Sequence, residues 1–168
     1  MMKRILAAAV VVALIVPVSA YAVTGTINAT ANVLTPLSVT SNLRDLDFGD
    51  VFPGLNKSIA YNDATSGKWR INGEAGKEVQ MTFTLPANLS FGANTMPISF
   101  SATDAAWYDA DAVGSATTFD PATGGTEFLN GGTGEGFVWL GGTVAPAANQ
   151  AAGVYTATVS LDVVYTGN

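Results

Sequence analysis

Tyr155-Thr156-Ala157-Thr158-Val159-Ser160-Leu161-Asp162-Val163-Val164-Tyr165, near the end of the chain, decides the fold. Tyr155, Ala157, Val159, Leu161, Val163 and Tyr165 fall on one side of an extended backbone. Thr156, Thr158, Ser160 and Asp162 fall on the other, with Val164 the one exception. A period of two is the mark of a strand with one buried face, because successive Cβ atoms of extended chain point to opposite sides. Gly153 marks the turn into it. The reading is a strand over Val154–Tyr165 that lies inside a sheet.

The same alternation recurs upstream. From Ile27 the odd positions read Ile27, Ala29, Ala31, Val33, Thr35, Leu37 and Val39, with Asn28, Thr30, Asn32, Leu34, Pro36 and Ser38 between them. Pro36 interrupts the outward set. Proline has no N–H for a central ladder, so a break or a switch of strand is expected there. Shorter strands are expected at Leu46–Val51, Ser58–Tyr61, Lys68–Ile71, Val79–Leu85, Pro97–Ala102 and Phe137–Val144. Turn residues separate them at Pro53-Gly54, Asn72-Gly73, Pro86-Ala87-Asn88 and the glycine-rich run Gly131 to Gly136, which reads as a flexible surface loop. Thr103 to Asn130 reads as a long excursion with one or two short strands. Ala145–Ala152 is Ala-rich, but Pro146 and its shortness favour a loop. Many short strands without a helix predict an antiparallel all-β sandwich, with Phe48, Phe83, Val159, Leu161 and Val163 in its core.

Ahead of this domain, Lys3 and Arg4 precede an apolar run from Ile5 to Val18, followed by Ala20-Tyr21-Ala22. A positive start, a short apolar core and a small-x-small site form a secretory signal peptide. The run is shorter than the roughly 20 residues a spanning helix needs. Residues 1–22 are therefore expected to be cleaved, which places a single β-sandwich domain of residues 23–168 in the periplasm, outside the cell or on a bacterial cell surface. No membrane insertion is expected after cleavage.

Composition removes whole classes of function. The chain of 168 residues has no Cys and no His. Disulfide scaffolds, Cys nucleophiles, zinc fingers and His-based triads are excluded together. Loss of Lys3 and Arg4 leaves five basic residues against 13 acidic ones, a net charge of −8. Such a surface repels phosphate backbones, so no nucleic-acid partner is expected. A hydrophobic fraction of 48% over one domain length is enough for a core without covalent staples.

Short motifs yield no catalytic residue and no cofactor. Asp47-Phe48-Gly49 matches a kinase metal-binding triplet as a string, but its upstream lysine strand and catalytic loop are absent. It reads as alternating strand residues with a bend at Gly49. Gly131-Gly132-Thr133-Gly134-Glu135-Gly136 runs into a strand, and Glu135 would repel phosphate. Asp109-Ala110-Asp111-Ala112-Val113-Gly114 resembles half a calcium loop, with Val113 at a place that needs a side-chain oxygen. Asp104, Asp109, Asp111 and Asp120 are either calcium ligands in an irregular loop or ordinary solvated acids. Trp69, Trp107 and Trp139 are either a sugar-stacking platform or core.

Four stretches together carry a family resemblance: Ala31 to Val39, Leu46-Asp47-Phe48-Gly49, Gly141-Gly142-Thr143-Val144, and Asn149 to Tyr165. The chain resembles the DUF4402 family of bacterial exported domains. Its last strand is similar to that of spore-coat-U-type and chaperone–usher pilin subunits, although the Cys pair common in those is absent here. The resemblance implies an immunoglobulin-like sandwich and supplies no catalytic residues. The expected function is an exported structural or adhesive surface protein, a pilin-like subunit assembling with copies of itself by β-strand donation. The N-terminal segment, Thr24–Val33, is then either the donated strand or the first strand of its own domain, paired with Val154–Tyr165. The alternative is a monomeric extracytoplasmic module that binds carbohydrate or calcium. An enzyme is not expected.

Overall fold

A computed structural model describes Tyr21 and residues 23–167. The expected signal segment otherwise lies outside the described residues. The chain divides between Asn32 and Val33. Of the first unit, Tyr21 and residues 23–32 are described. They form no strand, and Val23 and Ile27 are each 95% exposed.

The second unit is all-β with antiparallel pairing, and no α-helix occurs among the described residues. Five strands form the first sheet: Ser38–Arg44 (β1), Gly67–Asn72 (β3), Glu135–Leu140 (β10), Ala105–Tyr108 (β7) and Thr117–Phe119 (β8), in that order across it. Lys57–Ile59 (β2), Gly142–Val144 (β11), Asn94–Ser99 (β6) and Asn88–Phe91 (β5) make a four-stranded sheet. Ser160–Tyr165 (β12), Glu78–Thr84 (β4) and Gly125–Phe128 (β9) make a three-stranded one.

Two apolar clusters follow from this arrangement. The first joins Ile71, Trp107 and Val138 of the five-stranded sheet to Val79, Met81 and Leu161 of the three-stranded sheet. Two sheets thus bury their inner faces against each other. The second joins Ile59, Met96, Ile98 and Val144 to Phe48. Of the expected core, Phe48 and Leu161 are buried, and Phe83 and Val163 pack half-buried against the first cluster. Val159 is half-buried and belongs to neither cluster. Truncating Leu161, 9% exposed, to Ala is expected to cost about 2–5 kcal/mol in urea unfolding, and a loss below about 0.5 kcal/mol would remove it from the core.

Several expected elements are changed, each by its neighbours. Leu46–Val51 keeps Phe48 inward but forms no strand, because no ladder partner lies beside it. The expected strand Phe137–Val144 is two strands meeting at Gly141. A Cβ at Gly141 would sit 2.2 Å from the Ile59 carbonyl oxygen, so only glycine lets the chain cross from one sheet to the next there. Thr103 to Asn130 holds three strands, β7, β8 and β9. The run Gly131 to Gly136 is an ordered turn over residues 131–134 that leads straight into β10 at Glu135. The Asn130 side-chain oxygen accepts the N–H groups of Gly132 and Thr133 at 2.9 and 3.0 Å, and Gly134 takes a φ of 70°.

The closing strand differs most. Its regular part is Ser160–Tyr165, and it pairs with β4 alone, from Ser160 opposite Thr84 to Tyr165 opposite Val79. It lies at a sheet edge, not inside, and among the described residues β4 is the strand it pairs with. Pro86 accounts for the shortening. Extending the register would set Pro86 beside Thr158, where its missing N–H cannot bond. The ladder resumes as one bridge, Thr156 to Ser90, two residues out of that register. β1 starts at Ser38, after the break expected at Pro36.

Candidate functional site

β1 is the outer strand of its sheet and β12 of its own. The segments continuing from them, residues 44–51 and 153–159, flank an open groove of about 750 Å³. Its floor is apolar: Met96, Ile98, Val144 and Leu89, with Phe48 and Tyr155.

The first lip is braced from below. Arg44 donates from Nε to the Ser66 carbonyl at 2.5 Å and from Nη2 to Ser66 Oγ at 2.7 Å. These two bonds satisfy the one buried polar residue, Ser66, among the described residues. Asp47 N–H donates to the Thr65 carbonyl at 2.9 Å, and Asp47 Oδ1 accepts the Gly49 N–H at 2.7 Å. Gly49 adopts a φ of 56°, which turns the lip after Phe48 and favours glycine there. The motif Asp47-Phe48-Gly49 is thus a bend that seats one ring in the floor.

The second lip is tied at its start. Gln150 Nε2 donates to Tyr155 Oη at 2.7 Å and to the Thr95 carbonyl at 3.1 Å, and Tyr155 Oη donates to the Ala151 carbonyl at 2.9 Å. A Cβ on Gly153 would lie 2.3 Å from the Phe91 ring, so glycine allows the close approach there. Among the described residues, the backbone bonds of 154–159 are the reciprocal pair between Thr156 and Ser90, at 2.9 and 3.0 Å. Tyr155, Ala157 and Val159 keep the inward side of the strand, yet Ala157 is exposed because nothing covers it. An edge of unused N–H and C=O groups beside the exposed Ala157 and the half-buried Tyr155 and Val159 is a template for one further strand.

No carboxylate cluster forms. Asp104 Oδ2 accepts the Ser101 N–H at 2.7 Å, and Asp120 Oδ1 accepts the Ala122 N–H at 2.8 Å. Asp109 accepts Asn130 Nδ2 at 3.1 Å, and Asp111 pairs with Lys68 Nζ at 2.5 Å. Each of the four is engaged separately, and no group of three acids that could hold a metal occurs among the described residues. The tryptophans form no platform. Trp107 and Trp139 are 4% and 1% exposed, and Trp69 packs half-buried on the first cluster. Lys68 Nζ lies over the rings of Phe137 and Trp139, at 5.3 and 5.7 Å from their centroids.

A shallower cleft of about 410 Å³ lies by β8 and β9, with Tyr108, Glu127 and Phe128 in its wall. Burial raises the Glu127 carboxyl above the ordinary glutamate value. Just after the N-terminal segment ends, hydrogen bonds from Thr35 hold the Glu74 carboxyl below its ordinary value.

The groove left no direct signal in the sequence. The alternation of Tyr155, Ala157 and Val159 shows which side faces inward, but not that the place opposite is empty. No helix among the described residues is long and apolar enough to cross a membrane. The chain matches no protein-family model, no curated protein and no solved structure.

Proposed function

We propose that this protein is an exported structural subunit of a cell-surface filament or coat, with an immunoglobulin-like sandwich completed by a strand from a neighbouring copy. The observation that carries this reading is the groove: the segments that continue β1 and β12 outside their ladders flank an open space over apolar residues, with room for one further strand. Residues 23–33 supply a matching strand. They carry no charged side chain, and Val23, Ile27, Ala29, Ala31 and Val33 alternate with Thr24, Asn28, Thr30 and Asn32. Eleven such residues reach about 36 Å extended, as do the eleven from Tyr155 to Tyr165. Ile27, fully exposed in the free chain, gains about 1.5–3 kcal/mol on burial in such a groove. Main-chain bonds supply affinity, and the alternation sets register. The resemblance to exported and pilin-like domains and the signal-like first 22 residues support the same reading.

Deleting residues 23–31 tests it. The expected result is soluble monomer at every concentration, where the intact exported chain forms larger species as concentration rises. Light scattering that shows the same assembly with and without the segment rejects donation.

A further inference from the structure

We propose that a hydrogen-bonded clasp of Thr35, Glu74 and Tyr165 reserves the groove for the segment of a second copy, by holding the chain at the point where its own segment would have to turn back. This inference rests on the strand-donation reading and adds a choice of partner to it.

Thr35 stands two residues after the uncharged segment 23–33. Every polar group it has is engaged. Its N–H and its Oγ1 donate to Glu74 Oε2 at 2.9 and 2.5 Å, and its carbonyl accepts from Tyr165 Oη at 2.7 Å. The Tyr165 hydroxyl also accepts the Glu74 N–H at 2.6 Å. The clasp therefore joins three distant pieces of chain: the lead into β1, the turn after β3 and the end of β12. Its packing is close. A Cβ on Gly73 would lie 2.5 Å from Tyr165 Oη and 2.7 Å from Leu37 Cδ2, and Leu37 packs on the first cluster.

The groove lies at the other end of these strands. β1 runs from Ser38, opposite Asn72 beside the clasp, toward Arg44 and the first lip, and β12 runs from the second lip to Tyr165. For residues 23–33 to fill the groove of their own domain, the chain must reverse within Leu34–Leu37 and run back along β1. A tight reversal there puts Thr35 and Pro36 at its centre. Proline is disfavoured at the second central position of the common turn. Reversal also withdraws the Thr35 N–H and carbonyl from Glu74 and Tyr165, and each lost bond has a cost. A segment arriving from a second copy demands neither change. The two routes bury the same residues, so the clasp decides between them.

The test compares the intact chain with Tyr165→Phe and Glu74→Ala, using hydrogen exchange of residues 24–33 in dilute monomer and the concentration at which assembly begins. In the intact chain these amides exchange freely in dilute monomer and become protected as concentration rises. In both variants protection appears in the monomer, independent of concentration, and the assembly concentration rises about tenfold, the scale of one or two lost hydrogen bonds. Variants that exchange and assemble as the intact chain does overturn the clasp while leaving donation standing. Protection already present in the intact monomer also overturns it, because the segment then fills its own groove. An intact chain that never assembles and never protects the segment overturns donation itself, and the clasp's role with it. If Tyr165→Phe loses protection throughout β4 and β12, the Glu74 variant, which leaves the Tyr165 ring in place, decides alone.

Discussion

Replacing Ile27 and Ala31 together by Asp is expected to abolish assembly and leave the monomer's melting temperature within about 2 °C of the unchanged chain. Both residues are exposed in the described structure, and neither contributes to the core clusters. Substitutions at such positions change monomer stability by no more than about 0.5 kcal/mol. In the proposed assembly the same two side chains point onto the apolar floor made by Met96, Ile98 and Val144. The floor itself carries no basic residue, and the two cations in the groove wall are engaged, Arg44 with Ser66 and Lys68 with Asp111. A carboxylate placed there is left without a ready partner, and an unpaired buried charge costs several kcal/mol. Two of them weaken association by about a thousandfold or more, at ~1.4 kcal/mol per tenfold. Asn28 and Thr30 provide the internal control. They alternate with the apolar set, so Asp at those two positions is expected to leave assembly within about tenfold. Sedimentation over a hundredfold range of concentration reads all three proteins. Equal loss from both pairs would mean that the segment does not bind as a strand with one buried side.

The second large effect is expected inside the sandwich, from the smallest substitution available. Gly136 of β10 lies under the ring of Trp107. A Cβ there would stand 1.8 Å from Cη2, 2.5 Å from Cζ3 and 2.6 Å from Cζ2. The indole has no room to retreat, because it is 4% exposed and packed with Ile71 and Val138. Gly136→Ala is therefore expected to destabilise by about 3 kcal/mol or more, at the upper end of overpacking costs. Its backbone φ is not in the left-handed region, so the cost is steric. Trp107→Phe removes the atoms that collide. The double variant is expected to be at least about 1 kcal/mol more stable than the sum of the two single losses predicts. Gly114→Ala, where a Cβ meets nothing within 4 Å, is expected to fall within about 0.5 kcal/mol of the unchanged protein. Additive losses at Gly136 and Trp107 in urea unfolding would refute the contact.

Facing was legible in the sequence, because it depends on a chain's own alternation. Val79 and Met81 are buried and Gln80 is exposed; Leu161 is buried between exposed Ser160 and Asp162. That no ladder runs through Pro36 was legible too, since a missing N–H is a property of one residue, although the strand expected ahead of it from Ile27 does not form. The all-β class followed from the same period. Pairing was not legible, because it belongs to whatever lies alongside. Leu46–Val51 alternates as a strand does, yet no neighbour offers it a ladder. Ala105–Tyr108 lies between β10 and β8 and is buried on both sides in its first three residues, so it shows no alternation to detect. Residues 154–159 continue a strand pattern that Pro86, nearly 70 positions earlier, interrupts from across the ladder. The groove is the extreme case. An unfilled place in a sheet has no residues of its own, so no reading of the sequence displays it. It emerges when tertiary structure sets β1 and β12 at the edges of their sheets and leaves the apolar sides of Phe48, Ala157 and Val159 beside a gap. The chain by itself determines which side chains seek burial, through local spacing. Only the tertiary structure decides which of them find a partner, because backbone hydrogen bonds and apolar contacts between strands join residues that are distant in sequence.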